Sequence, residues 1–202
     1  MKRSKTFAVV AAAAAITILA ACSDSTDPSP LLDSGVQLVF AGGGSFTAAG
    51  DPAFDDTSVI PATFAVALAD STGGIVIAAY NQRETEGDLF ILQLTENRLG
   101  AFGSCQRDTA NCHGRIIENI TATTTTGWRM WEITSGGVDV ATRDDRLTGT
   151  VTQMVLQWTD PDLGLQTRTI ESGSFNLPFL TGNDALRMMR CFLQDAQGES
   201  CA

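Results

Sequence analysis

The stretch CQRDTANCHG, residues 105–114, places two cysteines and the only histidine of the chain within ten residues. Those residue types offer three chemistries: a thiolate and imidazole ligand set for a metal, a nucleophile with its base, or a covalent bridge. Structural zinc sites space their cysteines by about two to four residues and repeat the pair. Here six residues separate Cys105 from Cys112 and nine separate Cys191 from Cys201. On an extended backbone the adjacent Cys112 and His113 point to opposite sides, which spoils a shared ion. A Ser-His-Asp triad would have to recruit His113, with Ser104 as the nearest hydroxyl, from one short loop. The chain has no G-x-S-x-G elbow and no H-E-x-x-H. The sequence therefore assigns no metal ligand, no cofactor and no catalytic residue.

Other candidates are weaker still. DPDLG at 160–164 begins like a calcium loop but lacks the remaining ligands, and reads as an Asp-Pro turn. AGGGS at 41–45 is glycine-rich, yet no lysine follows and no helix begins there to cradle a phosphate. Glu84, Glu86 and Asp88 cluster in what reads as a solvated connection. Trp128, Trp131 and Trp158 could line a groove, but Trp128 and Trp131 face opposite sides of a strand, so at least one is expected in the core.

The compartment decides between bridge and site, and the first residues specify it. Lys2, Arg3 and Lys5 precede an uncharged apolar run from Phe7 to Ala21, too short to span a bilayer comfortably and ending in small residues. Leu19-Ala20-Ala21-Cys22 closes it. This resembles the bacterial lipobox. The resemblance implies removal of residues 1–21, a diacylglycerol on the Cys22 thiol and an acylated new amino terminus, with more than one acyl chain to hold the protein stably on a membrane. Ser23 after the cysteine is similar to the default outer-membrane address of Gram-negative lipoproteins. The expected localisation is thus the cell envelope, lipid-anchored, at the outer membrane if the cell is Gram-negative. Residues 22–34 then serve as lipidated cysteine and flexible tether.

With Cys22 acylated, Cys105, Cys112, Cys191 and Cys201 remain, an even number in an oxidising compartment. Four cysteines allow three pairings. Local pairing, Cys105–Cys112 and Cys191–Cys201, is favoured because each pair closes a short polar loop, a constraint of roughly 2–3 kcal/mol in the chain-entropy account.

Composition narrows the partners. All three basic residues of the leader are lost on cleavage, leaving ten basic residues, all arginine, against 23 acidic ones and a formal charge of about −13. Such a surface repels nucleic acid and anionic headgroups, so no nucleic-acid partner is expected and membrane contact must come through the lipid. The remaining length suits one domain, residues 35–202.

That domain reads as strands. Short apolar runs of period two recur between turn residues: GVQLVFAGG with Val36, Leu38 and Phe40 on one face, ATFAVALAD with Phe64, Val66 and Leu68, then IVIAAYN, GDLFILQL, a WRMWEIT–SGG–VDVAT hairpin, RLTGTVTQMVLQW as the longest strand, LQTRTIES and GSFNLPF. Pro178 argues for an edge or strand end in the last of these. Asn183 could cap a helix carrying Leu186, Met189, Phe192 and Leu193. The fold class is all-β, an antiparallel sandwich or barrel of about nine to ten strands with a short C-terminal helix. The pair LTGTVTQMVLQW and RTIESGSFNLPF is similar to the closing strands of small β-rich envelope lipoproteins. The function expected is that of a non-enzymatic binding or structural domain on a membrane, with an unknown protein or small molecule as partner. The alternatives are a hydrophobic-ligand carrier with a pocket lined by Phe64, Val66, Leu89 and Ile91, or a carboxylate-based hydrolase.

Overall fold

Along most of the domain apolar side chains recur at every second position, and glycines, asparagines and aspartates punctuate the runs. These runs fold as ten strands: β1 (Gly35–Phe40), β2 (Ser45–Ala49), β3 (Thr63–Ala69), β4 (Ile75–Arg83), β5 (Glu86–Leu94), β6 (Gly100–Gly103), β7 (Cys112–Ile120), β8 (Arg129–Arg143), β9 (Arg146–Asp160) and β10 (Gly164–Leu180). The structure, a computed structural model, describes residues 34–49, 63–69, 73–84, 86–103, 105, 111–120 and 127–181. Among the described residues there is no helix. The helix expected from Asn183, the leader, Cys22, Ser104, Cys191 and Cys201 lie outside them.

The ladders close into a ring. β3, β4, β5, β7, β8, β9 and β10 pair in that order and β10 returns to β3, giving a seven-stranded barrel. Every pair in it is antiparallel except the last, where Phe179 and Leu180 lie beside Ala67 and Leu68 in parallel. Over Ile170–Asn176, β10 is flanked by β9 on one edge and by β1 on the other. β1 in turn carries β2, and β6 adds to β8. Pro178 falls where the flank changes hands. Phe179 donates its N–H to Asp145 on the β9 side, at 2.9 Å. Residue 178 therefore aims its nitrogen the other way, between the ladder to β1, which ends at Asn176, and that to β3, which begins at Phe179. A residue without an N–H fits that gap.

Two expectations about strand boundaries fail for one reason. Ser135-Gly136-Gly137 is not a hairpin turn; Arg129–Arg143 runs through it as one strand, with register shifts against β9 on either side of Ser135. Gly136, at φ +132°, lets the chain bulge against Met154, whose side chain occupies the space a Cβ would need. Likewise LQTRTIES and GSFNLPF are halves of β10, which at 17 residues is longer than the 15-residue β9. Glycine here bends long strands rather than ending them.

The core follows the alternation, but with one reversal. Val36, Leu38 and Phe40 of β1 face inward as expected and share a single cluster with Phe90, Leu92, Leu94, Ile133, Leu156 and Phe175. In β3, however, Ala65 and Ala67 face that cluster, while Phe64, Val66 and Leu68 form a separate outer cluster with Val76, Ala78, Tyr80 and Leu180. Register carries the reversal across: Phe64 pairs with Tyr80 and Tyr80 with Leu89, Val66 with Ala78 and Ala78 with Ile91. The four residues expected to line a carrier pocket thus stand on the outer face. The cause is volume. The β1–β2 hairpin packs against β3 and β4, bringing Phe46 to a ring-centroid distance of 6.3 Å from Phe90, and only small side chains fit opposite it. Ala67→Leu is expected to overfill this space and lower unfolding stability by about 2 kcal/mol in urea titrations. An unchanged unfolding midpoint would contradict this packing.

Candidate functional site

The inward stripes that build the core do not stay apolar to their ends. Two residues beyond an inward core residue, at one end of the barrel, each stripe turns polar: Ala79 leads to Asn81 and Arg83 on β4, Phe90 to Asp88 on β5, Ile116 to Glu118 on β7, Trp131 to Arg129 on β8, and Ile170 to Arg168 on β10. Period two keeps these side chains on the core-facing side, so they meet around the mouth rather than spread over the surface. Arg83, Asp88, Glu118, Arg129 and Arg168 line a cleft of about 300 Å³, with the largely buried Phe40, Phe46 and Ile116 at its base and Ser45 and Asn119 completing the wall.

A β-bulge sets the geometry. Leu89 pairs with Ile117 and Gly87 with Ile120, so Glu118 and Asn119 together oppose Asp88 alone. Asn119 takes the left-handed conformation, φ +60°, that this extra residue requires, and its N–H is directed at Asp88 Oδ1 at 3.3 Å. Asp88 also accepts from Arg83 Nη2, 2.8 Å from Oδ2 and 2.9 Å from Oδ1. Glu118 is held from two sides: Arg168 Nη1 lies 2.6 Å from Oε1, and the indole N–H of Trp131 donates to Oε2 at 2.9 Å. The Arg168 guanidinium sits 3.5 Å from the centre of the Phe40 ring, a cation–π contact. Arg129 differs from the other two arginines. It is opposite Glu118 in the β7–β8 register, yet Glu118 is committed elsewhere, and Arg129 forms no ion pair among the described residues. Its guanidinium lies 5.6 Å from the Trp158 ring, which in turn packs 5.6 Å from Trp131.

Of the described residues singled out from sequence, Asp88 lines the cleft, Trp131 and Trp158 contact its wall, and the others fall elsewhere. Cys105 and Cys112 are joined by the expected disulfide, with Cα atoms 4.5 Å apart, and both are fully buried in the core cluster. Cys105 N–H also bonds to Gly136 O, so the bridge ties the start of β7 to the bulge of β8. His113 is half-buried on β7 opposite Gln93, and among the described residues no three His, Cys, Asp or Glu side chains converge as a metal would need. Asp160 Oδ1 accepts the N–H groups of Asp162 and Leu163 at 2.8 and 2.9 Å, an Asx turn joining β9 to β10. Glu84 lies in the β4–β5 turn at φ +44°, whereas Asp88 is not a solvated connection residue but part of the cleft. Trp131 is core, Trp158 packs against it, and Trp128 is half-buried with no partner for its indole N–H among the described residues. Glu118, Arg83, Arg129 and Arg168 are the residues that sequence reasoning missed. Their signal is a charged residue two places past an inward apolar one, or four in the case of Arg83, legible only with the facing known.

Comparison with known protein families, curated proteins and solved structures finds no match for this chain.

Glu118 is the hub of the mouth, and its loss strands a buried indole N–H. Glu118→Leu is expected to cost about 2 kcal/mol in urea unfolding followed by tryptophan fluorescence. Arg83→Gln, which breaks a more exposed pair, is expected to cost less than about 1 kcal/mol. Equal losses in the two variants would contradict this division.

Proposed function

We propose that the protein is a lipid-anchored domain of the cell envelope that engages a small ligand or a partner through the polar mouth of its barrel, without catalysing a reaction. The anchor rests on Leu19-Ala20-Ala21-Cys22 behind a basic, apolar leader, and Ser23 favours the outer membrane of a Gram-negative cell. The observation that carries the binding role is Arg129. In a chain with a formal charge of about −13 after cleavage, a guanidinium that has no carboxylate partner among the described residues faces a cleft whose own carboxylates are occupied. A binding role also suits the acids. Asp88 and Glu118 have both oxygens engaged by N–H donors, which makes them struts of the wall rather than a proton donor and acceptor in waiting. The acidic surface elsewhere opposes nucleic acid and anionic lipid, leaving the acyl chains as the contact with the membrane.

Cys22→Ala is expected to abolish labelling by a palmitate analogue and to shift the protein from the membrane to the soluble fraction of fractionated cells. Unchanged labelling and membrane recovery would refute the anchor. The mouth is tested by native mass spectrometry of protein purified from its own envelope. Ser45→Trp, which fills the cleft from β2, is expected to lose any retained ligand or partner. Arg98→Gln, beyond the opposite end of β5, is expected to keep it. Retention by Ser45→Trp would place the binding surface elsewhere.

A further inference from the structure

Building on the reading of the mouth as a binding site, we propose that its ligand class is a small organic monocarboxylate, gripped by Arg129 and Arg168. The charge at the cleft defines the class. Among the described residues three arginines, Arg83, Arg129 and Arg168, stand against Asp88 and Glu118, a formal excess of one positive charge. One negative charge on the ligand neutralises that excess; a second would meet two carboxylates already in the wall.

The donors are available in the right place. Arg168 commits Nη1 to Glu118, and a guanidinium carries five N–H donors in a planar fork suited to a carboxylate. Phe40 beneath and Glu118 beside hold that fork in one orientation before any ligand arrives. Arg129 brings the charge that no described carboxylate compensates. Its approach to Trp158 leaves a direction set by an aromatic face rather than by a competing anion. Orientation fixed in advance is what converts a surface arginine into a specific anion holder. Size and polarity complete the fit. A cleft of about 300 Å³ is at the lower end of the range for ligand pockets, enough for a small molecule and too small for a lipid chain with its headgroup. Its accessible wall is mostly polar, because Phe40, Phe46 and Ile116 are buried beneath it, and this suits a compact carboxylate rather than a long hydrocarbon chain.

The test uses the mature acylated protein in detergent micelles, labelled with ¹⁵N at its tryptophan indoles, and titrated with sodium benzoate, sodium phosphate or sodium chloride at matched ionic strength. The Trp131 indole N–H rests on Glu118 and the Trp158 ring faces Arg129, so both resonances report on the mouth. Benzoate is expected to move them saturably, with chloride producing no saturable shift. Arg129→Gln should weaken benzoate about tenfold, the loss expected for one charge-assisted contact, while Arg129→Lys recovers most of the affinity. Arg98→Gln should leave it unchanged. Absence of a saturable benzoate shift, equal affinity in Arg129→Gln, or tighter binding of phosphate than of benzoate would each overturn the assignment. The two proposals fail separately: a mouth that loses its native occupant with Ser45→Trp but ignores benzoate keeps the binding role and discards the carboxylate class.

Discussion

The ladder along β10 is the interaction on which the remaining architecture depends. This strand meets β9 along nearly its whole length, gives its other edge to β1 over Ile170–Asn176, and then reaches β3 through Phe179 and Leu180. Through β9 it supports β8 and β6, and through β1 it fixes the hairpin that fills one side of the interior. Close backbone approach is built into it. A Cβ at Gly173 would crowd Leu38 and the backbone of Gln37, and one at Gly149 of β9, opposite Phe175, would overlap that ring and the Asp139 carbonyl. These glycines allow strands to approach where side chains from both sides converge, at the entropic cost that glycine carries in a strand.

Once the hairpin lies against β3 and β4, the choice of which face of β3 points inward is no longer a matter of hydrophobicity. Phe64, Val66 and Leu68 are the more apolar set, yet Ala65 and Ala67 occupy the interior because Phe46 and Phe90 have taken the space. The same register then determines what arrives at the mouth. Inward alternation places Arg83, Asp88, Glu118, Arg129 and Arg168 around one opening, and the bulge at Glu118 and Asn119 brings a carboxylate between Trp131 and Arg168. Packing at the centre of the barrel and polarity at its end are thus two outcomes of one alternation.

This explains what could be read from the chain and what could not. Strand positions were legible because period two is local; Val36, Leu38 and Phe40 declare their face without help from the rest. The all-β class followed from the same signal. The continuity of β8 and β10 was hidden because Ser-Gly-Gly and Ser-Gly-Ser look like turns, and only the neighbouring β9 makes them bends. The facing of β3 was hidden because a strand apolar on both sides carries no phase of its own. The mouth was hidden for a third reason: Glu118, Arg129 and Arg168 are 50 residues apart at the extremes, and nothing in their local sequence sets them apart from other surface charges. Cys105 and Cys112 were conspicuous by type, but their depth in the core depends on Gly136 and on β7, which spacing alone does not specify.

That depth has a consequence for the lifetime of the bridge. Thiol–disulfide exchange requires an attacking thiolate to reach a sulfur atom along the S–S axis. Here both cysteines are 0% exposed and sit among Phe102, Ile133 and other core side chains. A reductant therefore gains access only when β7 separates from its neighbours or the fold opens as a whole. The clock for reduction is then set by how often the barrel breathes, and a passing change in the redox state of the surroundings leaves no mark on a molecule that stays closed.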